Sequence, residues 1–358
     1  MFFASDNAGP VHPKVMTALV AANEGHALPY GADDLMTAVR SHLREVFEAP
    51  EAAVYLVATG TAANSLALAT LCAPFETVFC TPVAHIHEDE CNAPEFFTGG
   101  AKLTLVGDGA KMSPEVLRAA IAAEESRGVH GPQRGPVSLT NVTERGTVYT
   151  PGEIAALSAV ARDFGLKVHL DGARLANALV ATGASPAEMT WKAGVDALSF
   201  GGTKNGLMGV EAVIFFDPAH AWEFELRRKR GAHLFSKHRY LSAQMLAYLE
   251  DGLWLENARA ANAANARLAE GLQALPGVRF SHPPEANMSF AAWPRAGHRR
   301  LHEAGAQYYL WEGQLEGDDP EEALTARMVC DWSVTDEMID RFVALVRGEA
   351  AGEENVPG

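Results

Sequence analysis

Residues 166–206 read LKVHLDGARLANALVATGASPAEMTWKAGVDALSFGGTKNG. Two short apolar runs, LKVHL and DALSF, each end in a glycine-bearing turn and enclose a helical segment. Strand, helix, strand at this spacing is a βα unit, whose two strands run parallel. Outward from it the alternation continues. AVYLVATG, TVFCTPVAH, KLTLVG and PVSLTNV precede the unit and AVIFF follows it. Seven such runs between residues 50 and 216 predict an α/β fold with a mainly parallel seven-stranded sheet covered on both faces. One helix is unusually well marked. Thr150 stands as N-cap, Pro151 at the first helical position and Glu153 three residues on. Ile154, Leu157, Ala161 and Phe164 then repeat at helical spacing, and Gly165 ends the run.

Past the sheet, a long helical stretch runs from about Tyr240 to Leu275, with a break expected near Gly252. FSHPPEANMSFAAW, GHRRLHEAG, QYYLWEG, TARMVCDW and TDEMIDRFVALVRG then read strand, helix, strand, strand, helix. That grouping suggests a smaller α+β domain. The expected organisation is an N-terminal arm over 1–30, a large domain over 31–245, a small domain over 246–347 and a disordered tail over 348–358. A length of 358 residues and a hydrophobic fraction of 48% suit two folded units.

Charge and cysteine usage narrow the class. Forty-five acids against 29 bases give a formal charge of −16, which opposes nucleic-acid binding because a polyanion needs a basic face. No apolar run approaches the roughly 20 residues that span a bilayer. The opening MFFASDNAGP has no basic region, so no signal peptide is expected. Cys72, Cys80, Cys91 and Cys330 form no CxxC pair, which suits reduced thiols in a cytoplasm.

Ligands of open α/β sheets gather at the carboxyl ends of the strands. At the first such end, Gly60 and Thr61 open a helix whose backbone N–H groups, with the Thr61 hydroxyl, suit a phosphate or simply cap the helix. At another, Asp171 closes LKVHL, a costly place for a carboxylate unless a cation or a hydrogen bond meets it; Arg174 is near in sequence. At a third, Lys204 lies in the turn GGTKNG, where a partly desolvated amine can attack a carbonyl. Each feature alone has an ordinary structural explanation. Together they are what pyridoxal 5′-phosphate requires: a phosphate cradle, an aspartate that keeps the pyridine nitrogen protonated, and a lysine that forms a Schiff base. The GxGxxG spacing of a dinucleotide site is missing, which disfavours a nicotinamide oxidoreductase.

His85 ends TVFCTPVAH, and His87 is expected on the same side of an extended segment, with Glu88, Asp89 and Glu90 behind the pair. No third ligand has convincing spacing, so no metal is expected. An imidazole at a strand end can instead stack on a cofactor ring and accept a proton.

The signatures are SDNAG from Ser5, PYGADD from Pro29, GTAANSLAL from Gly60, AHIHEDECNAPEFF from Ala84, HLDGARLANAL from His169 and FGGTKNG from Phe200, within a resemblance that runs from Ser5 to the final helix. Together they resemble the low-specificity L-threonine aldolase family, which is pyridoxal-phosphate-dependent and has the aspartate-aminotransferase-like fold (fold type I). The resemblance implies a lyase that splits L-β-hydroxy-α-amino acids such as threonine, allo-threonine or phenylserine into glycine and an aldehyde. It also implies a homo-oligomer, a dimer of dimers. It places the Schiff base on Lys204, the pyridine contact on Asp171 and the stacking imidazole on His85. Phosphate contacts fall at Gly60 and Thr61, and substrate-carboxylate contacts at Ser5, Arg174 and Arg327. An arginine inside TARMVCDW suits that task, because a planar guanidinium grips a carboxylate with two parallel hydrogen bonds.

Two further points come from the resemblance. The basic run Arg227, Arg228, Lys229, Arg230, with Lys237 after it, is read either as a solvated face or as an interface segment. In the second case Lys229 and Lys237 reach the neighbouring subunit's cofactor phosphate. Many family members carry a histidine where this chain reads Thr140-Asn141-Val142-Thr143, so the base is His85, Thr143 or water. The competing enzymatic reading is another fold type I pyridoxal-phosphate enzyme, a β-eliminating lyase or an aminotransferase. A cofactor-binding sensor is the competing non-enzymatic one.

Overall fold

The computed structural model describes residues 1–124 and 126–349. The tail expected over 348–358 therefore lies, from residue 350 on, outside the described residues. The chain divides into two compact units, one of Val11–Leu255 and one of Met1–Pro10 with Glu256 onward.

The larger unit holds the expected seven strands: β1 (Ala53–Val57), β2 (Glu76–Cys80), β3 (Lys102–Leu105), β4 (Gln133–Thr140), β5 (Val168–Gly172), β6 (Ala197–Phe200) and β7 (Glu211–Phe215). Their order is β1-β7-β6-β5-β4-β2-β3, and β7 runs antiparallel to both its neighbours while the other pairs are parallel. Every residue of β1, β5, β6 and β7 is buried, as continuous apolar runs in a twice-covered sheet should be. Register sets the chemistry. Thr140 of β4 lies opposite Asp171 of β5, which lies opposite Ser199 of β6, so three carboxyl ends meet at one edge.

The covering helices are α1 (Pro13–Ala21), α2 (Asp34–Val46), α3 (Gly60–Leu71), α4 (His85–Glu88), α5 (Ala93–Thr98), α6 (Pro114–Ala123), α7 (Pro151–Asp163), α8 (Leu175–Thr182), α9 (Pro186–Met189), α10 (Ala221–Arg230) and α11 (Arg239–Leu249). Side-chain caps start several of them. Asp33, Thr59, Ser113 and Ser185 each accept an N–H from the first turn, and α7 has the Thr150–Glu153 capping box that its sequence announces. Apolar α3 packs Ala62, Ala63 and Leu66 into one cluster with Val213 and Phe215.

Two local expectations need correction. Residues 1–30 do not form a single arm, because Pro13–Ala21 is a helix with proline at its start and the His12 ring as its cap. The unit division falls at Leu255/Glu256 rather than at 245/246. The helix break does come at Gly252, where Asp251 (φ 54°) and Gly252 (φ 69°) both turn left-handed between α11 and α12 (Leu253–Gln273).

In the smaller unit an antiparallel sheet is ordered β10-β11-β9-β8, from β8 (Arg279–Phe280), β9 (Met288–Pro294), β10 (Tyr309–Glu312) and β11 (Ala323–Val329). Helices α13 (Arg295–Glu303) and α14 (Asp336–Arg347) accompany it, and Trp293, Tyr308, Leu268, Leu272 and Phe342 fill its core. The first residues of the chain belong to this unit. Phe3 donates its N–H to Gln307 (2.7 Å), accepts from Val329 (2.8 Å) and sets its ring edge-on to Phe342. No helix among the described residues is long and apolar enough to cross a membrane.

Candidate active site

Asp171 is buried at the end of β5 (4% exposed). Its Oδ2 accepts from the Asn64 amide at 2.8 Å and its Oδ1 from the Ala173 N–H at 3.0 Å. Neither of these two donors is cationic. Asn64 comes from the second turn of α3 and uses its other N–H on Glu90, at 2.9 Å from Oε1. Glu90 is also buried, and the same Oε1 lies 2.8 Å from His85 Nδ1. The sheet edge thus carries a continuous chain: His85, Glu90, Asn64, Asp171.

His85 is not at the end of an extended strand. It opens α4, so His85 and His87 point apart, and His87 is exposed while His85 is half-buried. The His85 backbone N–H donates to Glu144 Oε1 at 2.8 Å. Its pKa is raised, chiefly by the hydrogen bond to Glu90 and secondarily by the charge of Asp171, against burial and the charge of Lys204. Burial raises the carboxyls of Glu90 and Glu144, and the charge of Asp171 pushes both the same way.

Lys204 lies in a one-turn 3-10 helix, Thr203–Asn205, and is half-buried. The turn is pinned from below. Asn205 donates to Tyr248 Oη (2.7 Å) and to the Trp254 carbonyl (2.8 Å), and Tyr248 Oη donates to the Gly201 carbonyl (3.1 Å). Gly201 must be glycine here, since a Cβ would overlap the Ala173 carbonyl oxygen just past the end of β5. The positive charge of Lys204 acts on His85 and on buried Glu211, which desolvation pushes up to about 6. Lys204, Asp171 and His85 are therefore brought together.

Gly60 starts α3, with Thr59 as N-cap accepting the Ala62 N–H at 3.1 Å. A Cβ built on Gly60 meets nothing within 4 Å, so the space before this helix start is open. Thr61 is half-buried in the first turn, and Arg174 is the residue before α8. Ser5 and Arg327 lie in the smaller unit. There Arg327, opposite Tyr309 in the ladder, donates Nη1–H to the Ala4 carbonyl at 3.3 Å, which places it beside Ser5.

The basic run is not uniform. Arg228 is buried, donates to the Leu56 carbonyl at 3.2 Å and lies 5.0 Å over the Tyr55 ring, while Arg227 pairs with Glu223 at 2.7 Å. Lys229 and Lys237 are exposed, with Lys229 Nζ 5.0 Å from the Tyr30 ring centre. Thr143 is buried, with its hydroxyl on Thr147 Oγ1 at 2.7 Å.

A family model for beta-eliminating lyases matches residues 3–293. The low specificity L-threonine aldolase of a Pseudomonas species (strain NCIMB 10558) is 39% identical over 346 residues, 96% of each chain. That of Pseudomonas aeruginosa is 40% identical over the same length and coverage. The chain belongs to the low-specificity L-threonine aldolase family. It is accordingly a lyase. Among solved structures, a threonine aldolase of Leishmania major superposes with a TM-score of 0.89 at 27% identity, covering 97% of this chain and 98% of that one. The fold is that of the fold type I pyridoxal-phosphate enzymes.

The residues fit that cofactor. A buried carboxylate that accepts from an amide and a backbone N–H, with two more carboxyls close by, suits a protonated ring nitrogen. The open space at Gly60 suits a phosphate. Asn64, Glu90 and Glu144 were not singled out as site residues from the sequence. Asn64 reads as the interior of an apolar helix and Glu90 as one more acid in HEDE.

Proposed function

We propose that the protein is a pyridoxal-phosphate-dependent aldolase that cleaves L-β-hydroxy-α-amino acids, among them threonine, allo-threonine and phenylserine-like substrates, to glycine and an aldehyde. The observation that carries this reading is the buried chain His85–Glu90–Asn64–Asp171 at the strand edge that also holds Lys204. In it Lys204 would hold the cofactor covalently, Asp171 would hold its ring nitrogen, His85 would hold its ring, and Gly60 with Thr61 would hold its phosphate. When bound, the cofactor supplies an electron sink for the pair released as Cα–Cβ breaks.

The chain's own groups do the rest. Glu90 engages Nδ1 of His85, which leaves Nε2 to take the proton of the substrate's β-hydroxyl. Glu90 is buried and acceptor-bonded on both sides, so it fixes the ring plane as well as its basicity. Arg174, Arg327 and Ser5 recognise the substrate carboxylate. A bidentate guanidinium orients Cα, and orientation decides which of its bonds breaks. Protonation of Cα then completes glycine, and the aldehyde leaves with the carbonyl that the former hydroxyl oxygen has become.

The same reading makes the enzyme a homo-oligomer, a dimer of dimers, in which Lys229 and Lys237 supply cations to a neighbouring subunit's cofactor phosphate. Their exposure leaves both ammonium groups available for that. It also places the enzyme in the cytoplasm, where Cys72, Cys80 and Cys330 stay as buried free thiols. The test is a substrate panel on purified protein, with both Cβ isomers of threonine and phenylserine. Equimolar glycine and aldehyde are expected. Keto-acid products, from aminotransfer or β-elimination, would replace the aldolase reading.

A further inference from the structure

Between β4 and α7 the chain makes a small, tightly braced hairpin. Thr143 donates its N–H to the Thr147 carbonyl (2.9 Å), and Gly146, at φ 77°, returns its N–H to the Thr143 carbonyl (2.9 Å). At the base, the Asn141 side chain takes both backbone groups of Tyr149: Nδ2 donates to its carbonyl and Oδ1 accepts its N–H, each at 3.0 Å. Thr143, a candidate base by sequence, spends its hydroxyl on Thr147 within this hairpin. Glu144 is the residue of the segment that faces His85.

Glu144 Oε1 accepts the His85 N–H at 2.8 Å, and its Oε2 is buried with no hydrogen-bond partner among the described residues. That N–H is the first of α4, whose own N-cap is Ala84, with no side-chain cap bond. The first N–H groups of a helix have no partner within it, and Ala84 offers this end no side-chain acceptor. Here the acceptor comes from a different strand's loop. The turn it holds carries His85 at its start and leads directly to Glu90, after which left-handed Cys91 and Asn92 turn the chain back.

We propose that Glu144 is a positioning residue for His85: by holding the first N–H of α4 from the β4 hairpin, it fixes where the imidazole and its partner Glu90 stand at the strand edge. The inference rests on the aldolase reading only for what the ring is used for. The groups facing Glu144 are His85 from α4, Asp171 from β5, Cys80 from β2, Thr140 from β4 and Tyr149 from its own loop. Burial and the Asp171 charge both favour its neutral form, and a neutral carboxyl still accepts through Oε1. Glutamine, which keeps that carbonyl oxygen, therefore reproduces it; alanine removes it and aspartate withdraws it by one methylene.

The experiment compares the parent holoenzyme with E144Q, E144A and E144D, reading cofactor affinity and the pH midpoint of the cofactor's visible band, with no substrate present. E144Q should match the parent in both. E144A and E144D should lose about tenfold in affinity, the size of a lost cap bond at a buried donor, and should shift the midpoint together. If E144A fails to fold, E144D against E144Q carries the same contrast. Parent-like values in E144D, or E144Q as impaired as E144D, would overturn the assignment. Glycine and aldehyde release from threonine by the parent is measured on the same preparation. A parent that binds cofactor yet yields no aldehyde defeats the aldolase reading and leaves the Glu144 assignment to stand or fall on the band and the affinity.

Discussion

Two histidines of the same sheet-bearing unit have opposite surroundings. His85 lies against a row of carboxyls, with Glu90 on Nδ1 and Glu144 on its backbone, and its pKa is raised. His169, two residues before Asp171 on β5, is fully buried between two hydroxyls, Ser138 on Nδ1 and Ser199 on Nε2, each at 3.0 Å. Desolvation pushes it down to about 4. The first ring has acids to answer its charge and is partly exposed; the second has neutral partners that fill both nitrogens. An imidazole becomes available for proton transfer through what lines it.

The contrast has meaning only if the His85 pocket is where the reaction happens, so the largest expected effect is at its centre. Lys204→Ala should lower kcat by on the order of a thousandfold or more, because covalent attachment is lost. Borohydride reduction of the parent should fix the cofactor to the peptide that contains Lys204. A label on Lys192 or Lys237 would move the site away from both histidines.

Next in size is the difference between the two rings themselves. His85→Phe keeps a stacking surface and should cost about a hundredfold in kcat, the usual worth of a positioned base, with little change in urea midpoint. His169→Phe should do the reverse: kcat per folded molecule near the parent's, and stability down by about 2–4 kcal/mol from two stranded hydroxyls and a poorly fitted ring. If His85→Phe keeps parental kcat, the ring stacks only and bound water is the base.

Much of this frame was readable in the residues. The strands β1, β5, β6 and β7 are legible because they are buried on both faces and read as short apolar runs, and the α7 start because a capping box is a local signal. Lys204 and Asp171 followed from the rule that ligands sit at strand ends. Glu90 did not. In HIHEDE it looks like part of a solvated acidic run, yet it is buried and takes the Asn64 amide and the His85 ring. Nor did Arg228 separate from its basic neighbours, although Phe224 and Arg228 share one buried helix face. Tertiary contacts of this kind leave no periodic mark.

The two histidines also oppose each other in acid. His169 has a lowered pKa, so its share of stability is full above about 6.5 and is lost as pH falls toward about 4. From that interval the loss is about 3 kcal/mol. Buried His238 and His298, also lowered to about 4, act in the same direction. The parent should therefore lose stability steeply between pH 6.5 and 4, measured as urea midpoints, and His169→Phe should flatten part of that slope. An unchanged slope would mean that His169 is protonated in the folded protein.

The smallest effect concerns the bond that distinguishes His85. Glu90→Gln replaces a carboxylate by an amide of the same shape, so the contact to Nδ1 survives while its charge does not. The His85 pKa is raised mainly by Glu90, so in the variant its ring should titrate lower than in the parent, read by histidine ring resonances against pH. Raised pKa gives the linkage sign opposite to His169: the parent's advantage over the variant is present below about 6.5 and fades as pH rises through the raised value. The His85 side chain is 35% exposed, so water screens the pair and the advantage should stay near or below about 1 kcal/mol. Burial also raises Glu90 itself, so ionised Glu90 costs the fold something at high pH that glutamine does not. The two stability curves should accordingly converge above neutrality, with the variant level with the parent or slightly above it by pH 9. A His85 titration that does not move in Glu90→Gln would show that Asp171, acting through Asn64, sets the basicity of the ring, and the difference between the two histidines would then belong to β5 rather than to α4.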